Sequence, residues 1–448
     1  MKKVFVVSLG CPKNLVDSEM MLGLLGQAGY ESCEAAEEAD LLLVNTCGFI
    51  QSAVEEGIQE ILALAELKAE HPEKLLVVVG CMVQRYGEDL VAELPEVDLF
   101  IGTEGCQDLV ARLQALGRKG YAKIQLAEPT FLLDSTWPRR LSAPAHRAYL
   151  KVTEGCSNRC AYCLIPSLRG PLRSRTLPDL VREVQLLDER GVREVTLVAQ
   201  DLTAYGHDLG SQAPKLVALL RELLAATAIP WFRLLYLYPL RVSEELLAFM
   251  ADNPRIVPYL DIPLQHVSDP ILRAMNRPYG RRQIEILLAR IRALLPEAAI
   301  RTTLMVGFPG ERAEDVDLLV EFLTREQLDH VGIFSYSNEE GCAAYALAGQ
   351  CGEEVKEARR ARLMEVQEGI SLRKNLEKIG RVEQVLVEGV SRETELLLEG
   401  RTRFQAPEID GCVYINAGQA SPGQIVQVRI TEAHPYDLVG EILAPDEQ

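Results

Sequence analysis

Several features of common protein classes are missing from this 448-residue sequence. No apolar run reaches the roughly 18 residues that a membrane span needs, and the apolar run at residues 4–9 is shorter than the ~7 to 15 residues of a secretory signal. Positive charge is in deficit, with 47 Lys and Arg against 65 Asp and Glu and a net charge of −18. Phosphate attraction needs a positive surface, so a general nucleic-acid binder is not expected.

The eleven cysteines do not suit a disulfide framework. Their number is odd, and a chain of this length can bury a sufficient core without covalent cross-links. Cysteines that bind metal or carry redox chemistry are the better interpretation. We therefore expect a cytoplasmic protein.

Residues 1–127 alternate short apolar runs with amphipathic stretches, which is typical of βα units around an open parallel sheet. Strands are predicted at residues 3–9, 40–45, 75–80 and 98–102, and helices at 18–29 and 52–71. Residues 128–147 contain three prolines without periodicity and predict a linker.

Two further regions follow the linker. Residues 148–375 continue the βα pattern, with strands predicted at 148–152, 194–199, 231–236, 259–262, 300–306 and 331–335 and a long helix at 353–379. Six such units favour a partial (β/α) barrel over a complete one of eight units. Residues 376–448 predict a small antiparallel barrel, with strands at 382–388, 394–398, 413–416, 425–431 and 438–443. The fold class is therefore α/β with a C-terminal β-barrel.

Cys156, Cys160 and Cys163 form a C-x3-C-x2-C motif directly after a predicted strand. Three thiolates in one loop can bind an iron–sulfur cluster and leave one of its four irons open. A zinc loop is the alternative, but zinc usually takes four ligands, and no His or fourth Cys stands near the motif. The motif therefore favours a cluster.

Cys11, Cys47 and Cys81 each follow a predicted strand closely, although they are far apart in sequence. Because the carboxyl ends of parallel strands meet at one edge of a sheet, these thiols could converge on a second cluster. Buried free cysteine is also a common core residue, which is the alternative at any single position. The remaining cysteines have no comparable setting: Cys33, Cys106, Cys342, Cys351 and Cys412.

The C-x3-C-x2-C motif is the signature of the radical S-adenosylmethionine (SAM) superfamily, and with both cysteine sets the whole chain resembles its methylthiotransferases. The resemblance implies an N-terminal methylthiotransferase domain (1–127), the linker (128–147), a radical SAM domain (148–375) and a C-terminal TRAM barrel (376–448). It implies a 4Fe–4S cluster on each cysteine set, with SAM as radical source and methyl donor. The clusters carry the chemistry, so no acid or base residue is assigned.

Four residues are expected to contact SAM. Tyr162 stands where the family has an aromatic residue near the adenine, and Gln200 and Gln265 follow barrel strands at their carboxyl ends, where barrel enzymes place ligand contacts. Val306 lies in a stretch that resembles a later SAM-contacting strand. Ordinary loop packing is the alternative for each. The resemblance also implies an electron donor such as flavodoxin or ferredoxin, and the sulfur donor stays unassigned.

Residues 8–19 (Ser-Leu-Gly-Cys-Pro-Lys-Asn-Leu-Val-Asp-Ser-Glu) and 165–170 (Ile-Pro-Ser-Leu-Arg-Gly) resemble the methylthiotransferases that act on an aspartate of ribosomal protein S-twelve. The expected reaction adds a methylthio group at the aspartate β-carbon. Enzymes that modify transfer RNA adenosine typically have Gln-Met-Asn after their first cysteine. Such an RNA enzyme is the first alternative, and a non-enzymatic iron–sulfur carrier or scaffold is the second.

Charge gives a separate argument about the substrate. Residues 376–448 carry six Lys or Arg against thirteen Asp or Glu, a net charge of −7, which suits a basic protein target better than RNA. An acidic surface that only keeps the chain in solution is the alternative. Residues 139–175 have the opposite charge balance, with eight Lys or Arg against the single acid Glu154, and RNA contact is one interpretation of them. We expect this basic stretch to balance the clusters and attract an aspartate.

Overall fold

The N-terminal unit is an open, all-parallel sheet of six strands. The computed structural model describes residues 1–118, 120–142 and 144–443. The strands are β1 (Lys2–Ser8), β2 (Tyr30–Ser32), β3 (Leu41–Thr46), β4 (Leu75–Gly80), β5 (Leu99–Ile101) and β6 (Ile124–Gln125). Their order is β2-β1-β3-β4-β5-β6. Leu41 and Leu43 face one core and Leu42 and Val44 another, so β3 is covered on both sides, as parallel sheets require.

Five helices connect these strands: α1 (Pro12–Gln27), α2 (Gln51–Glu70), α3 (Cys81–Tyr86), α4 (Glu88–Glu93) and α5 (Leu109–Ala115). The sequence prediction for α1 was wrong at its start, which lies at Pro12 and not at residue 18. Proline suits the first turn of a helix because its φ is already helical and its missing N–H would have no partner there. This correction places Cys11 at the N-terminus of a helix.

The central unit contains six parallel strands in the order β14-β13-β12-β11-β10-β7. They are β7 (Arg147–Lys151), β10 (Glu194–Val198), β11 (Trp231–Leu234), β12 (Ile256–Asp261), β13 (Ala299–Val306) and β14 (His330–Ser335). A short hairpin, β8 (Thr153–Glu154) and β9 (Arg173–Ser174), brackets the C-x3-C-x2-C loop. The prediction of six units in an open, partial barrel is confirmed.

Helices pack around this sheet: α6 (Ile165–Arg169), α7 (Leu177–Glu189), α8 (Leu216–Ala226), α9 (Glu244–Asp252), α10 (Asp269–Ala274), α11 (Arg281–Leu294), α12 (Ala313–Glu326) and α13 (Glu353–Leu376). The last one is the long helix that the sequence predicted at 353–379. No helix in the three described ranges is long and apolar enough to cross a membrane.

The segment between β6 and β7 fastens the N-terminal unit to the central one. Its Arg139 lies 2.6 Å from Glu19 of α1 and 2.6 Å from Glu183 of α7. The Glu19 carboxylate also accepts a hydrogen bond from the backbone N–H of Ser142 at 3.0 Å. Ion pairs therefore hold this proline-containing linker in place although it has no periodic pattern.

The C-terminal unit is a closed five-stranded barrel in the order β15-β16-β17-β19-β18. Its strands are β15 (Val382–Val390), β16 (Leu398–Thr402), β17 (Val413–Ala417), β18 (Ile425–Ala433) and β19 (Leu438–Ile442). The small barrel is confirmed, although β17 and β19 pair in parallel within an otherwise antiparallel arrangement.

One strand of this barrel was predicted at the wrong place. Residues 394–397 belong to the turn before β16, where the Thr394 hydroxyl accepts a hydrogen bond from the Leu396 N–H. Side-chain bonds of this kind favour turns over strands, and Leu396 is 90% exposed. The strand starts only at Leu398.

A buried ion network attaches the barrel to the amino ends of the central strands. Glu194, the first residue of β10, lies 2.7 Å from Arg233 of β11 and 2.5 Å from Arg401 of β16. Arg401 also lies 2.5 Å from Glu388 of β15. We call the full set the amino-edge network: Arg147, Glu194, Arg233, Glu388, Arg401 and Glu408. Three cations meet three carboxylates there.

Candidate active site between the two cysteine sets

Cys11, Cys47 and Cys81 follow β1, β3 and β4, which are neighbours in the sheet. Asn14, in the first turn of α1, lies between two of them, with its side-chain oxygen 4.0 Å from the Cys11 sulfur and 3.9 Å from the Cys81 sulfur. Its amide nitrogen donates to the carbonyls of Leu9 and Thr46 and so fixes this position. The structure thus brings the three loops to one edge.

Cys47 reaches the same place against Gly10. A Cβ on Gly10 would lie 2.8 Å from the Cys47 Cβ and 3.3 Å from its sulfur, and Gly10 has a φ of +90°. Both the contact and the left-handed backbone therefore require glycine.

Arg169, the last residue of α6, joins this edge to the central unit. Its Nε lies 3.3 Å from the Cys81 sulfur and its Nη2 donates to the Asn14 oxygen at 2.5 Å. Its Nη1 pairs with Asp17 at 2.7 Å and Glu154 at 3.2 Å. We call Asp17, Lys151, Glu154 and Arg169 the carboxyl-edge network. Lys151 completes it, 2.5 Å from Asp17 and 2.7 Å from Glu154.

The thiols of the N-terminal set differ in acidity. Burial raises the pKa of Cys47 to about 11 and raises that of Cys81 as well. Burial also opposes ionisation of Cys11, but the charges of Lys13 and Arg169 outweigh it and lower the Cys11 pKa. Cys11 is therefore the thiol of the three that ionises most readily.

The second set lies in the loop between β8 and β9. Gly155 allows this loop to fold back, since a Cβ there would lie 2.1 Å from the carbonyl oxygen of Pro171 and its φ is +69°. The Cys156 N–H then donates to the carbonyl of Gly170 at 3.1 Å. Arg277 lies 3.4 Å from the Cys160 sulfur, so each cysteine set has one buried guanidinium beside a sulfur.

The two sets lie near one another. Cys81 packs in one buried cluster with Leu164, which follows Cys163 directly, and with Leu168 and Cys342. Glu154 of the carboxyl-edge network is two residues before Cys156. The space between the sets is therefore bordered by residues of both units, and Cys81 is buried there.

The thiols are not arranged around a single metal ion. Within the described part of the chain, no three His, Cys, Asp or Glu side chains are close enough to hold one. An iron–sulfur cluster takes its three thiolates at separate corners, so it does not require the sulfurs to meet around one ion. Both sets fit a cluster in chemistry, because each combines three thiols with an adjacent arginine that offsets negative charge.

The four expected SAM contacts lie around the carboxyl edge of the central sheet. Gln200 follows β10 and donates from Nε2 to Glu154 at 3.3 Å, and its Oε1 is buried without a hydrogen-bond partner in the described residues. Gln265 follows β12 with a φ of 70°, and Val306 ends β13. Tyr162 packs against an apolar cluster that includes Phe308. These positions are compatible with the expected role.

A cavity of about 210 Å³ borders the second set on another side. It is lined by Cys156 and by polar groups that include Asn158, Asp201, His207 and Arg241. Asp201 accepts hydrogen bonds from Asn158 at 2.8 Å and from Arg241 at 2.5 Å. The cysteine loop therefore has a polar wall in addition to the buried side toward the N-terminal unit.

Sequence reasoning treated residues 139–175 as a basic stretch, and the structure shows what it does. Most of its cations pair with carboxylates elsewhere in the chain: Arg139, Arg147, Lys151, Arg169 and Arg175. From a cluster of basic residues in an acidic chain, the sequence could have predicted that these cations pair with carboxylates. It did not identify the partners, since Asp17 is 152 residues from Arg169.

Three family models match the chain in succession. Residues 3–102 match "Uncharacterized protein family UPF0004", residues 150–323 the radical SAM superfamily and residues 379–443 the TRAM domain. Full-length relatives carry the name "Ribosomal protein uS12 methylthiotransferase RimO". The one from Desulfotalea psychrophila is 54% identical over 443 residues, 99% of each chain. The one from Pelobacter propionicus is 49% identical over 441 residues, 98% of each chain.

The chain belongs to the RimO family of methylthiotransferases. It is therefore a radical SAM enzyme, and membership in the RimO family implies two 4Fe–4S clusters and SAM as its cofactors.

Solved structures agree with a RimO-family chain in fold. The radical SAM methyltransferase TsrM from Kitasatospora setae aligns with a TM-score of 0.55 at 15% identity, covering 74% of this chain and 73% of its own. The cobalamin-dependent SAM radical enzyme OxsB aligns with a TM-score of 0.56 at 14% identity, covering 83% of this chain and 56% of its own. Each alignment covers a larger share of this chain than the central unit occupies, so the structural similarity extends beyond the radical SAM sheet.

Proposed function

We propose that this enzyme attaches a methylthio group to the β-carbon of an aspartate in ribosomal protein S-twelve. The observation that carries the proposal is full-length identity of 46–54% to relatives named for that protein. The net charge of −18 supports it, because ribosomal proteins are typically basic and complementary charge favours docking. A ribosomal target also supports a cytoplasmic location.

The six cysteines have distinct roles in this proposal. Cys156, Cys160 and Cys163 hold the radical SAM cluster, and Cys11, Cys47 and Cys81 hold the second. When bound, the two clusters supply the electron for SAM cleavage and the site from which sulfur is delivered. Leu164 and Leu168 pack against Cys81 and bury it, and Arg169 and Arg277 offset thiolate charge.

Tyr162, Gln200, Gln265 and Val306 bind SAM in the same proposal. The unpartnered side-chain oxygen of Gln200 offers an acceptor inside the site. Gln265 holds a left-handed backbone that costs free energy in a non-glycine residue, and such strain concentrates at ligand sites.

We assign the work to four segments: the sulfur-delivering domain (1–127), the linker (128–147), the radical domain (148–375) and the target-docking barrel (376–448). The positions of the three family matches support this division. The electron comes from a small redox protein such as flavodoxin or ferredoxin.

The test uses anaerobically reconstituted enzyme, purified S-twelve and two triple variants. We expect C11A/C47A/C81A to keep about half of the iron and to cleave SAM without adding mass to S-twelve, since only the second cluster is lost. C156A/C160A/C163A should form no deoxyadenosine. Cys33→Ala, outside both sets, is the matched control and should behave as wild type.

The substrate assignment has its own outcome. In cells with and without the gene, intact mass should show a methylthio-sized gain on S-twelve only when the gene is present. A constant S-twelve mass together with loss of a methylthiolated RNA nucleoside would transfer the substrate to transfer RNA and contradict the proposal.

A further inference from the structure

The space between the two cysteine sets contains more buried positive charge than the chain itself neutralises. Lys151 and Arg169 are matched by the carboxylates of Asp17 and Glu154. Lys13 is a third buried cation beside them, only 7% exposed. Across the described ranges it makes no ion pair and no hydrogen bond through its ammonium group. Its charge acts on the Cys11 thiol, whose pKa it lowers, but no carboxylate of the described residues lies within ion-pair distance of it. A buried ammonium without a carboxylate partner costs free energy, so its retention needs an explanation.

The ammonium of Lys13 is nevertheless held in one position. It lies 3.8 Å from the centroid of the Tyr236 ring, a cation–π contact between the N-terminal unit and the central one. Tyr236 follows β11 with a φ of 63°, and its N–H donates to Asp261 at 2.9 Å. A strained residue therefore presents its ring to the lysine at the carboxyl edge of the central sheet.

The neighbouring arginine cannot serve an incoming anion in place of Lys13. Each nitrogen of the Arg169 guanidinium already has a partner: the Cys81 sulfur, the Asn14 oxygen and the carboxylates of Asp17 and Glu154. The Lys151 ammonium likewise contacts two carboxylates. Among the described cations of this space, Lys13 is the one whose charged group has no hydrogen-bond acceptor.

We propose that Lys13 binds the side-chain carboxylate of the substrate aspartate and thereby selects for it. The β-carbon carries that carboxylate, so a cation that holds the carboxylate leaves the reacting carbon one bond away. Lys13 is two residues from Cys11, which places this carbon next to the N-terminal cysteine set. An uncharged base would gain nothing from such a cation. This inference rests on the proposed function and adds a specificity-determining residue to it.

The experiment measures binding to cluster-loaded enzyme under anaerobic conditions. Three probes are used: S-twelve, S-twelve with asparagine in place of the modified aspartate, and SAM alone. Wild type should bind the aspartate form about tenfold to a hundredfold more tightly than the asparagine form, the usual effect of a charge-assisted hydrogen bond. This comparison needs no variant of the enzyme.

Lys13→Met keeps the side-chain length and removes the charge. It should weaken binding of the aspartate form to the level of the asparagine form and change SAM affinity less than twofold. Lys13→Arg should retain much of the preference. Lys2→Met is the matched control, because Lys2 also lies over a tyrosine ring, that of Tyr30, but at the amino end of β1, opposite to Cys11. It should leave all three affinities unchanged.

Three results would overturn the inference. Equal binding of both S-twelve forms by wild type would remove the carboxylate preference, even if methylthiolation of S-twelve proceeds and the proposed function stands. Weaker SAM binding by Lys13→Met would assign the lysine to the cofactor carboxylate. Loss of half of the iron from Lys13→Met, but not from Lys13→Arg, would assign it to the charge of the cluster. Failure of the proposed function would give a different result, because the wild-type enzyme would then methylthiolate neither form of S-twelve.

Discussion

The central sheet meets a neighbouring unit through buried charges at each end, and the two interfaces differ in kind. At the amino ends, three guanidinium groups of the amino-edge network meet three carboxylates. At the carboxyl ends, the carboxyl-edge network is equally balanced, but it is surrounded by thiols, an unpartnered amide oxygen of Gln200 and the unpaired Lys13.

This difference indicates that one interface attaches a unit and that the other contains the candidate site. Balanced charge fixes the relative position of two units, although nitrogens of Arg147 and Arg233 have no hydrogen-bond acceptor in the described residues. It leaves little for a charged ligand to do. An unbalanced buried charge costs stability, and a protein retains it where a substrate or cofactor balances it. The C-terminal barrel is therefore held by the first kind of interface, and the candidate site lies in the second.

The largest expected effect comes from breaking the amino-edge network. Glu194→Ala removes the carboxylate between Arg233 and Arg401 and leaves Arg233 buried without one. Removing one partner of a buried pair typically costs about 3–5 kcal/mol. We expect a correspondingly lower midpoint in urea unfolding, followed by circular dichroism, while SAM cleavage by the folded fraction persists. An unchanged midpoint would show that the network does not hold the barrel.

Within the carboxyl-edge region, the stability effects of replacing a paired and an unpaired buried lysine can be compared directly. Lys151→Met leaves Asp17 and Glu154 with Arg169 alone, so we expect destabilisation of about 3 kcal/mol. Lys13→Met removes an unpaired charge and should leave the cofactor-free protein at least as stable as wild type. Thermal unfolding of both variants measures this, and equal losses would place Lys13 among the structural cations.

Acid should weaken the amino-edge network at a predictable pH. Burial raises the pKa of Glu388, but the hydrogen bond with His146 and the charges of Arg401 and Arg147 outweigh it and lower the pKa to about 2 from the ordinary 4.5. Since the folded pKa is the lower one, this stabilisation is complete above pH 4.5 and is lost as pH falls toward 2.

Urea midpoints between pH 7 and pH 2 test this linkage. Glu388→Gln should be less stable than wild type at neutral pH, with a flatter dependence on pH, and the two curves should approach each other toward pH 2. Parallel curves would show that Glu388 does not contribute.

The smallest effect is expected at the rim of the same network. Glu408 lies 3.0 Å from Arg147, but its side chain is 47% exposed. Exposed pairs typically contribute about 1 kcal/mol or less, so Glu408→Ala should shift the urea midpoint only slightly. A loss as large as that of Glu194→Ala would mean that burial does not distinguish the members of the network.

Much of the fold could be predicted because its signals are local. The run at residues 75–80 coincides with β4, and the helix predicted at 353–379 lies within three residues of α13. Errors occurred where a local competitor decided the structure. Because Pro12 favours a helix start, α1 begins six residues before its predicted start at residue 18. The Thr394 hydroxyl stabilises a turn where an apolar run predicted a strand. The strands β2 and β6 were missed because three and two residues carry no pattern.

The sequence by itself determined the units, their order and both sets of cysteines, because strand patterns and motif spacing are properties of short stretches. Only the tertiary structure decided that Arg169 contacts Cys81, that Lys151 neutralises Asp17 and that Lys13 has no such partner among the residues described. These pairings join residues more than 80 positions apart. Whether a buried charge is satisfied depends on which groups meet when the units pack, and no local pattern contains that information.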